Sequence, residues 1–171
     1  SVFNLIILIL LIISFIVFKF ALQKEKIYTP KMTDNQIFTD FRVQFLIDEK
    51  QINFNKVLTG KNFYLINIWS SWCEPCKDES EYLLELKNDT SIMMIGINYK
   101  DKKKNALDFL KLYGDPFDQI FIDKQGTISI NFGAYGVPET FLINDKNKVL
   151  KKYIGPLNDE NVFEIKKITN N

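Results

Sequence analysis

The chain divides into an apolar N-terminal stretch and a mixed remainder. Residues 2–18 form an almost unbroken apolar run, VFNLIILILLIISFIVF, with Asn4 and Ser14 as its polar interruptions. If the following lysine snorkels to the interface, the run continues to Leu22, and about 20 residues suffice to cross a bilayer core about 30 Å thick. The pattern therefore predicts a transmembrane anchor over residues 1–22, in contact with the lipid bilayer through residues 2–22.

The main alternative for this stretch is a cleaved signal peptide, which has a shorter apolar core and small residues at its cleavage site. Residues 20–23 lack that small-residue pattern, so an uncleaved anchor is favoured. Four lysines follow the span: Lys19, Lys24, Lys26 and Lys31. The positive-inside rule would then place the rest of the chain in the cytoplasm. Because the chain starts at Ser1, charges ahead of the span are not counted, and the orientation must come from the chemistry.

Residues 23–37 are polar, contain Pro30 and lack periodicity, which is typical of a tether. Residues 38–171 are enough for one packed domain. The runs 63–69 and 92–97 are nearly continuous apolar segments, as expected of strands covered on both faces. The other predicted strands are 41–46, 52–54, 120–122, 140–143 and 149–154, the last two joined as a hairpin.

Helical periodicity predicts helices over 75–86 and 105–113, the second stopped by Gly114, and a last helix starting at Asn158 or Asp159. The charged run 100–104 is interpreted as a solvated loop. Strands and helices that alternate in this order predict an α/β fold, a mixed sheet with helices on both faces.

Charge and composition exclude several functions. The chain has 22 basic and 21 acidic residues, a net charge of +1 and one arginine, Arg42, so no nucleic-acid partner is expected. It has no histidine and two cysteines. These counts exclude Ser-His-Asp and Cys-His nucleophile pairs, histidine-ligated metals and a four-cysteine zinc site, so neither a metal nor a cofactor is expected. The chemistry must come from carboxylates, lysines or the two thiols.

The two cysteines stand in the motif Trp72-Cys73-Glu74-Pro75-Cys76, where a buried strand turns into a helix. The amides and dipole of a helix start stabilise a thiolate, and the spacing lets the second sulfur close a disulfide. Pro75 suits the first helical turn, which does not need its N–H. A haem attachment motif would need histidine where Lys77 stands, and a structural disulfide would close too small a loop to stabilise much. The motif therefore indicates a redox-active pair.

Three segments carry a family resemblance: FYLINIWSSWCEPC (63–76), NYKD (98–101) and GAYGVPET (133–140) followed by FLI. With the N-terminal anchor, they resemble the DsbE/CcmG family of membrane-anchored, thioredoxin-fold thiol:disulfide interchange proteins of bacterial cytochrome c maturation. The resemblance runs from about residue 38 to the last helix and implies a thioredoxin-like domain over 38–171.

Glu79 follows Cys76 by three residues and shares its helical face with Leu83 and Leu86. A buried carboxylate beside a thiol can take and return its proton during exchange, so Glu79 is a candidate catalytic residue. The alternative is a first-turn glutamate that interacts with the helix dipole. Ordinary thioredoxins carry a buried aspartate in the preceding strand. This chain has Asn67 there, and the resemblance supports a supporting role for Asn67 beside Glu79.

The resemblance also implies a substrate-binding surface formed by Trp72, Pro75, Val137, Pro138 and Glu139. In the thioredoxin fold the proline corresponding to Pro138 is cis and lies beside the disulfide, and the preceding backbone pairs with an extended substrate. The alternative is an ordinary proline at a strand entry. Glu139 resembles the acidic groove residue of the family, and its alternative is an exposed charge at the start of a strand.

The expected reaction is reduction of a substrate disulfide by Cys73, the more exposed sulfur, followed by resolution by Cys76. The resemblance implies that the substrate is apocytochrome c or a thiol partner of the same pathway, and that a membrane thiol reductase is the electron donor. It also places the domain in the periplasm, on a single-pass anchor in the bacterial inner membrane. The alternatives are a general anchored thioredoxin-like reductase for other exported proteins and a redox-silent module that docks apocytochrome. A peroxidase is disfavoured because Arg42 is poorly placed.

Overall fold

The computed structural model describes residues 2–23 and 41–170. The chain divides into two compact units, an N-terminal helix and a mixed α/β unit. Helix α1 (Val2–Gln23) contains one window, Val2–Lys19, with a mean hydropathy of 2.8, and by length and composition it is a candidate membrane span. Apart from Gln23, which ends α1, the predicted tether lies outside the described residues, and the predicted domain boundaries stay a prediction.

The α/β unit is built on one seven-stranded mixed sheet with the order β2-β1-β5-β4-β3-β6-β7. Its strands are β1 (Arg42–Phe45), β2 (Gln51–Asn53), β3 (Phe63–Trp69), β4 (Ile92–Tyr99), β5 (Gln119–Asp123), β6 (Glu139–Asn144) and β7 (Val149–Ile154). The pairs β3–β4 and β4–β5 are parallel, and the other four neighbouring pairs are antiparallel. All seven predicted strands and the predicted mixed α/β class are confirmed.

Between residues 41 and 170, five α-helices accompany this sheet: α2 (Glu74–Asp78), α3 (Ser80–Leu86), α4 (Lys103–Tyr113), α5 (Thr127–Asn131) and α6 (Asp159–Thr169). In β3, every residue from Tyr64 to Trp69 is buried. Side chains of successive strand residues point to opposite faces, so the centre of the sheet is covered on both sides. This explains why β3 reads as a continuous apolar run.

The predicted helix 75–86 is wrong as a single element, because the structure has two helices, α2 and α3, that meet at Glu79. Ser80 Oγ donates to the Cys76 carbonyl at 3.0 Å. A serine that bonds back to the carbonyl four residues earlier competes with the helical ladder and bends the helix. The break leaves Glu79 at the junction, with its side chain in the core.

Two short elements were not predicted. Helix α5 follows Gly126, which has φ = 79°, and it is held by Asp123 Oδ2, which accepts from the Ser129 amide and hydroxyl at 2.8 Å each. Phe54, predicted to end a strand, begins a 3-10 helix (Phe54–Lys56). Both elements are too short for a periodic pattern to reveal them.

Candidate active site

Cys73 and Cys76 are joined by a disulfide at the start of α2, with a Cα–Cα distance of 5.3 Å. Cys73 is the N-cap residue, and its Sγ accepts a hydrogen bond from the Cys76 amide at 3.2 Å. An amide aimed at this sulfur stabilises negative charge on it, so Cys73 is the sulfur whose thiolate the backbone favours. Both cysteine residues are 3% exposed, so residue burial does not separate them, and the greater exposure of the Cys73 sulfur stays a prediction. The two are distinguished by hydrogen bonding, and both are covered by the core cluster in which they pack.

Glu79 is fully buried, at 0% exposure. Its Oε1 accepts from Asn67 Nδ2 at 2.8 Å, and its Oε2 accepts from the Leu157 amide at 3.0 Å. Burial raises the pKa of Glu79 from 4.5 to about 7, against the opposing effect of these two hydrogen bonds. A carboxyl group that titrates near neutral pH can both accept and return a proton.

Asn67 connects Glu79 to the sheet. Its Nδ2 also donates to Thr140 Oγ1 at 3.0 Å, and Thr140 is its register partner on the neighbouring strand β6. The side chain is buried at 0% exposure. The predicted supporting position of Asn67 therefore corresponds to a direct contact with Glu79.

The Val137–Pro138 peptide bond is cis. Glu139, the next residue, is paired in register with Ile68 near the C-terminal end of β3. Pro138 therefore lies next to the end of β3, where the loop that carries the cysteines begins. Val137 packs against the apolar cluster that contains both cysteines. Within residues 41–170, the amide and carbonyl of Val137 make no hydrogen bond, which leaves them able to pair with another chain.

Glu139 is 2% exposed, so the alternative of an exposed charge at the strand start is wrong. Its Oε1 accepts from the amides of Tyr135 at 2.8 Å and Gly136 at 3.0 Å. Its Oε2 lies 2.7 Å from Lys152 Nζ. The carboxylate is thus directed at the loop before Pro138, and the assignment of Glu139 to the substrate-binding surface stays a prediction.

Trp72 lies on the surface at 58% exposure, and Pro75 is exposed on the first turn of α2. Trp72 Nε1 donates to the carbonyl of Lys100 at 3.2 Å, which connects the cysteine loop to the loop after β4. The structure therefore places Trp72, Pro75 and Val137 at or near the surface around the disulfide. Their role in binding substrate remains a prediction.

Sequence reasoning missed Asp101. Its carboxylate accepts from the Ser71 amide at 2.7 Å, Ser71 Oγ at 2.9 Å, Asn98 Nδ2 at 3.1 Å and the Lys102 amide at 2.7 Å. Burial alone would raise the pKa of Asp101, but these hydrogen bonds outweigh it and hold the pKa below its usual value. Asp101 was hidden in a lysine-rich run read as a solvated loop, although it anchors the segment just before Cys73.

In the described ranges 2–23 and 41–170, no group of three or more His, Cys, Asp or Glu residues is arranged to hold a metal ion. A mixed sheet with a CxxC disulfide at a helix start and a cis proline at the neighbouring strand end defines a thioredoxin-fold dithiol protein. The Redoxin family model matches residues 32–169. The chain belongs to the Redoxin family and, within it, to the DsbE-type thiol:disulfide interchange proteins, as the sequence resemblance implied.

Curated relatives support this assignment. The chain is 30% identical over 138 residues to the thiol:disulfide interchange protein DsbE of Allochromatium vinosum, covering 81% of this chain and 76% of that one. It is 44% identical over 92 residues to CycY of Rhizobium leguminosarum bv. viciae, covering 54% and 50%. It is 36% identical over 118 residues to DsbE of Escherichia coli K12, covering 69% and 63%. The matches thus span between half and about three quarters of the length of these relatives.

Solved structures share the fold at low identity. The thioredoxin domain of a thiol-disulfide oxidoreductase from Bacteroides vulgatus matches with a TM-score of 0.67 and 16% identity, over 81% of this chain and 99% of that one. StoA from Bacillus subtilis matches with a TM-score of 0.59 and 22% identity, over 79% and 99%. These likenesses show the fold.

Proposed function

We propose that this chain is a membrane-anchored thiol:disulfide oxidoreductase that reduces disulfides of other proteins. The observation that carries the proposal is the pairing of Cys73, which has an amide aimed at its sulfur, with Cys76 and a buried Glu79 whose pKa is about 7. This set supplies a stabilised nucleophile, a resolving thiol and a group for that thiol's proton.

The reaction begins with the reduced pair. The Cys73 thiolate attacks one sulfur of the substrate disulfide, the substrate S–S bond breaks, and a mixed disulfide forms while one substrate thiolate leaves. Cys76 then loses its proton to the Glu79 carboxylate and attacks Cys73 Sγ, which releases the second substrate thiolate. The two substrate thiolates take up one proton returned by Glu79 and one from water. The products are a substrate dithiol and the Cys73–Cys76 disulfide, so two electrons move from the protein to the substrate.

The proposed substrate is apocytochrome c or a thiol partner of its maturation pathway, and the proposed electron donor is a membrane thiol reductase. The support is membership in the DsbE-type family, together with the free backbone of Val137 and exposed Trp72 beside the disulfide. The second candidate, a general anchored reductase for other exported proteins, uses the same residues. A redox-silent docking module would not need a buried carboxyl group between Asn67 and Leu157.

The proposed location is the bacterial inner membrane, with α1 as a single span and the α/β unit in the periplasm. The apolar character of α1 supports the anchor, and a chain with only two cysteines suits an oxidising compartment. A membrane-impermeant maleimide applied to reduced spheroplasts tests the orientation. Labelling of Cys73 before lysis is expected, and labelling only after lysis would place the domain in the cytoplasm.

The test of function is a Cys76→Ser variant expressed in cells as the full chain. Without the resolving thiol, mixed disulfides through Cys73 should accumulate, and mass spectrometry of these adducts names the substrate. Cys73→Ser is the matched control and should trap at least tenfold less. Adducts that contain apocytochrome c support the maturation role, and adducts of unrelated exported proteins support the general reductase. A docking module would form no adducts and would keep its function. A resident pair that alkylation shows to be mainly disulfide would contradict the reductant assignment.

A further inference from the structure

Lys152 is a basic residue whose side chain is turned into the protein, at 9% exposure. Its neighbour Lys151 pairs with Glu164 and is 46% exposed, as expected of alternating side chains on an outer strand. Lys152 Nζ lies 2.7 Å from Glu139 Oε2 and donates to the Gly133 carbonyl at 2.7 Å. It also lies 4.8 Å from the centre of the Tyr135 ring, within reach of a cation–π interaction.

Glu139 completes this arrangement from the other side. Its second carboxylate oxygen accepts from the amides of Tyr135 and Gly136. The buried ion pair therefore holds residues 133–136 through one carbonyl, two amides and one aromatic ring. These residues lead directly into Val137 and the cis Pro138, whose own position is held by a hydrogen bond from the Gly155 amide to the Pro138 carbonyl at 3.0 Å.

The segment needs such support. Gly133 and Gly136 give the chain between α5 and β6 more conformational freedom than other residues would. In any other conformation of this segment, the amides of Tyr135 and Gly136 would lose the Glu139 carboxylate and would need other hydrogen-bond partners. In a buried site the attraction between the two charges is little screened, so the pair is well suited to select one loop conformation.

We propose that Lys152 is a positioning residue for substrate binding: through Glu139 it holds residues 133–138 in the shape that presents the backbone of Val137 to an extended substrate. Glu139 holds the same residues through its two oxygens. The inference rests on the proposed function, because it concerns how an extended disulfide-containing chain is held beside Cys73. It adds Lys152, to which no role was given from the sequence.

The test separates positioning from thiol reactivity by using two probes. One is a twelve-residue peptide closed by an internal C-x-x-C disulfide, which must align along the Val137 backbone. The other is hydroxyethyl disulfide, which is too small to need that alignment. With the full-length chain in detergent, Lys152→Met should lower kcat/KM for the peptide at least tenfold, mainly through KM, and change the rate with hydroxyethyl disulfide less than twofold. Lys151→Met is the matched control and should behave as wild type, and Lys152→Arg should recover most of the loss.

Equal losses with both probes, or no loss with the peptide, would overturn the inference. A wild-type chain that reduces hydroxyethyl disulfide but not the peptide would instead refute the proposed function, and the inference with it. If Lys152→Met is unfolded at the assay temperature, Glu139→Gln/Lys152→Met leaves no unpaired buried charge and should show the same peptide-selective loss. Amide exchange gives an independent readout: Tyr135 and Gly136 should exchange at least tenfold faster in the variant, with β3 unchanged, and unchanged loop exchange would contradict the proposal.

Discussion

Asn67 donates a hydrogen bond of 2.8 Å to Glu79 inside the core, and the Leu157 amide donates to the other carboxylate oxygen at 3.0 Å. The two bonds tie the junction of α2 and α3 to the central strand β3 and to the segment before α6. They only partly offset the cost of burying a charge, because the pKa of Glu79 remains raised to about 7. The protein therefore keeps next to its dithiol helix a carboxyl group that destabilises the fold when it ionises.

The first prediction concerns stability against pH. The folded-state pKa of Glu79 is raised from 4.5 to about 7, so the folded state binds this proton more tightly than the unfolded state does. The free energy of unfolding should therefore fall as pH rises through this window and level off above it. With about 1.4 kcal/mol per pKa unit, the loss between pH 4.5 and pH 8 is about 3 kcal/mol.

Urea denaturation of the oxidised full chain and of Glu79→Gln at both pH values measures this loss. The free energy of unfolding of Glu79→Gln, minus that of the wild type, should increase by about 3 kcal/mol between pH 4.5 and pH 8. Other titrating groups affect the free energy of unfolding of both proteins equally, so their contribution cancels in this difference. Parallel pH dependences for the two proteins would mean that Glu79 ionises as freely in the folded chain as in the unfolded one.

The second prediction concerns the rate of resolution. If Glu79 takes the Cys76 proton, the rate at which Cys76 attacks a mixed disulfide on Cys73 should rise with pH, with an inflection near 7. Glu79→Gln should remove the inflection and slow the step about 100-fold at pH 7, within the usual range of general-base contributions. Stopped-flow release of thionitrobenzoate from a Cys73 adduct measures the rate. Glu81→Gln, an exposed glutamate on α3, is the control and should retain the wild-type profile.

The third prediction concerns Asp101. Asp101→Asn removes a charged acceptor from the Ser71 amide and hydroxyl, and it should lower the free energy of unfolding by about 1–3 kcal/mol at pH 7. Since hydrogen bonding holds the pKa of Asp101 below 3.8, this stabilisation is present above pH 3.8 and is lost as pH falls through the folded-state pKa. The difference between wild type and variant should accordingly shrink in acid.

Chemical denaturation at pH 7 and at pH 3 measures the effect of Asp101→Asn. Asp108→Asn provides the comparison, because Asp108 is 61% exposed and pairs with Lys104 on the surface. A surface pair contributes about 0–1 kcal/mol, so that variant should be nearly neutral. A loss of the same size in both variants would show that the contacts of Asp101 with the cysteine loop add no more stability than an exposed ion pair.

The fourth prediction concerns close packing at Gly96 on β4. A Cβ at this position would lie 2.9 Å from Phe117 Cγ and 2.9 Å from Trp69 Nε1. Gly96→Ala should therefore destabilise the fold by about 1–3 kcal/mol, as overpacking of a core does. Gly136→Ala is the matched control: nothing lies within 4 Å of its Cβ position, and we expect a change below about 0.5 kcal/mol. Thermal unfolding of both variants measures the effect. Equal midpoint temperatures for Gly96→Ala and Gly136→Ala would show that Phe117 and Trp69 move aside without loss of stability.

The sequence was sufficient where a local pattern is long enough to repeat. The central strands are buried on both faces, so β3 and β4 appear as apolar runs, and α4 ends at Gly114 as its pattern predicted. The cysteine pair at a strand-to-helix turn was visible because its spacing and context lie within one short segment. Glu79 was found because a helical face repeats every three to four residues, even though the helix is broken there.

Tertiary structure decided everything that depends on contacts between distant segments. The exposure of the two cysteines is equal because the core cluster covers both, and no local rule reports that. Asp101 reaches Ser71 because the end of β4 lies beside the end of β3 in the parallel pair.

The same reason explains the charges around the active site. Glu139 could be read as exposed because nothing beside it in the sequence shows that β7 brings Lys152 to its carboxylate. The chain by itself determined an apolar span long enough to cross a membrane, the seven strands and the dithiol motif, all encoded by neighbouring residues. The environments of Glu79, Asp101 and Glu139 were decided only by the fold, because burial and hydrogen bonding depend on strand register and on which segments meet.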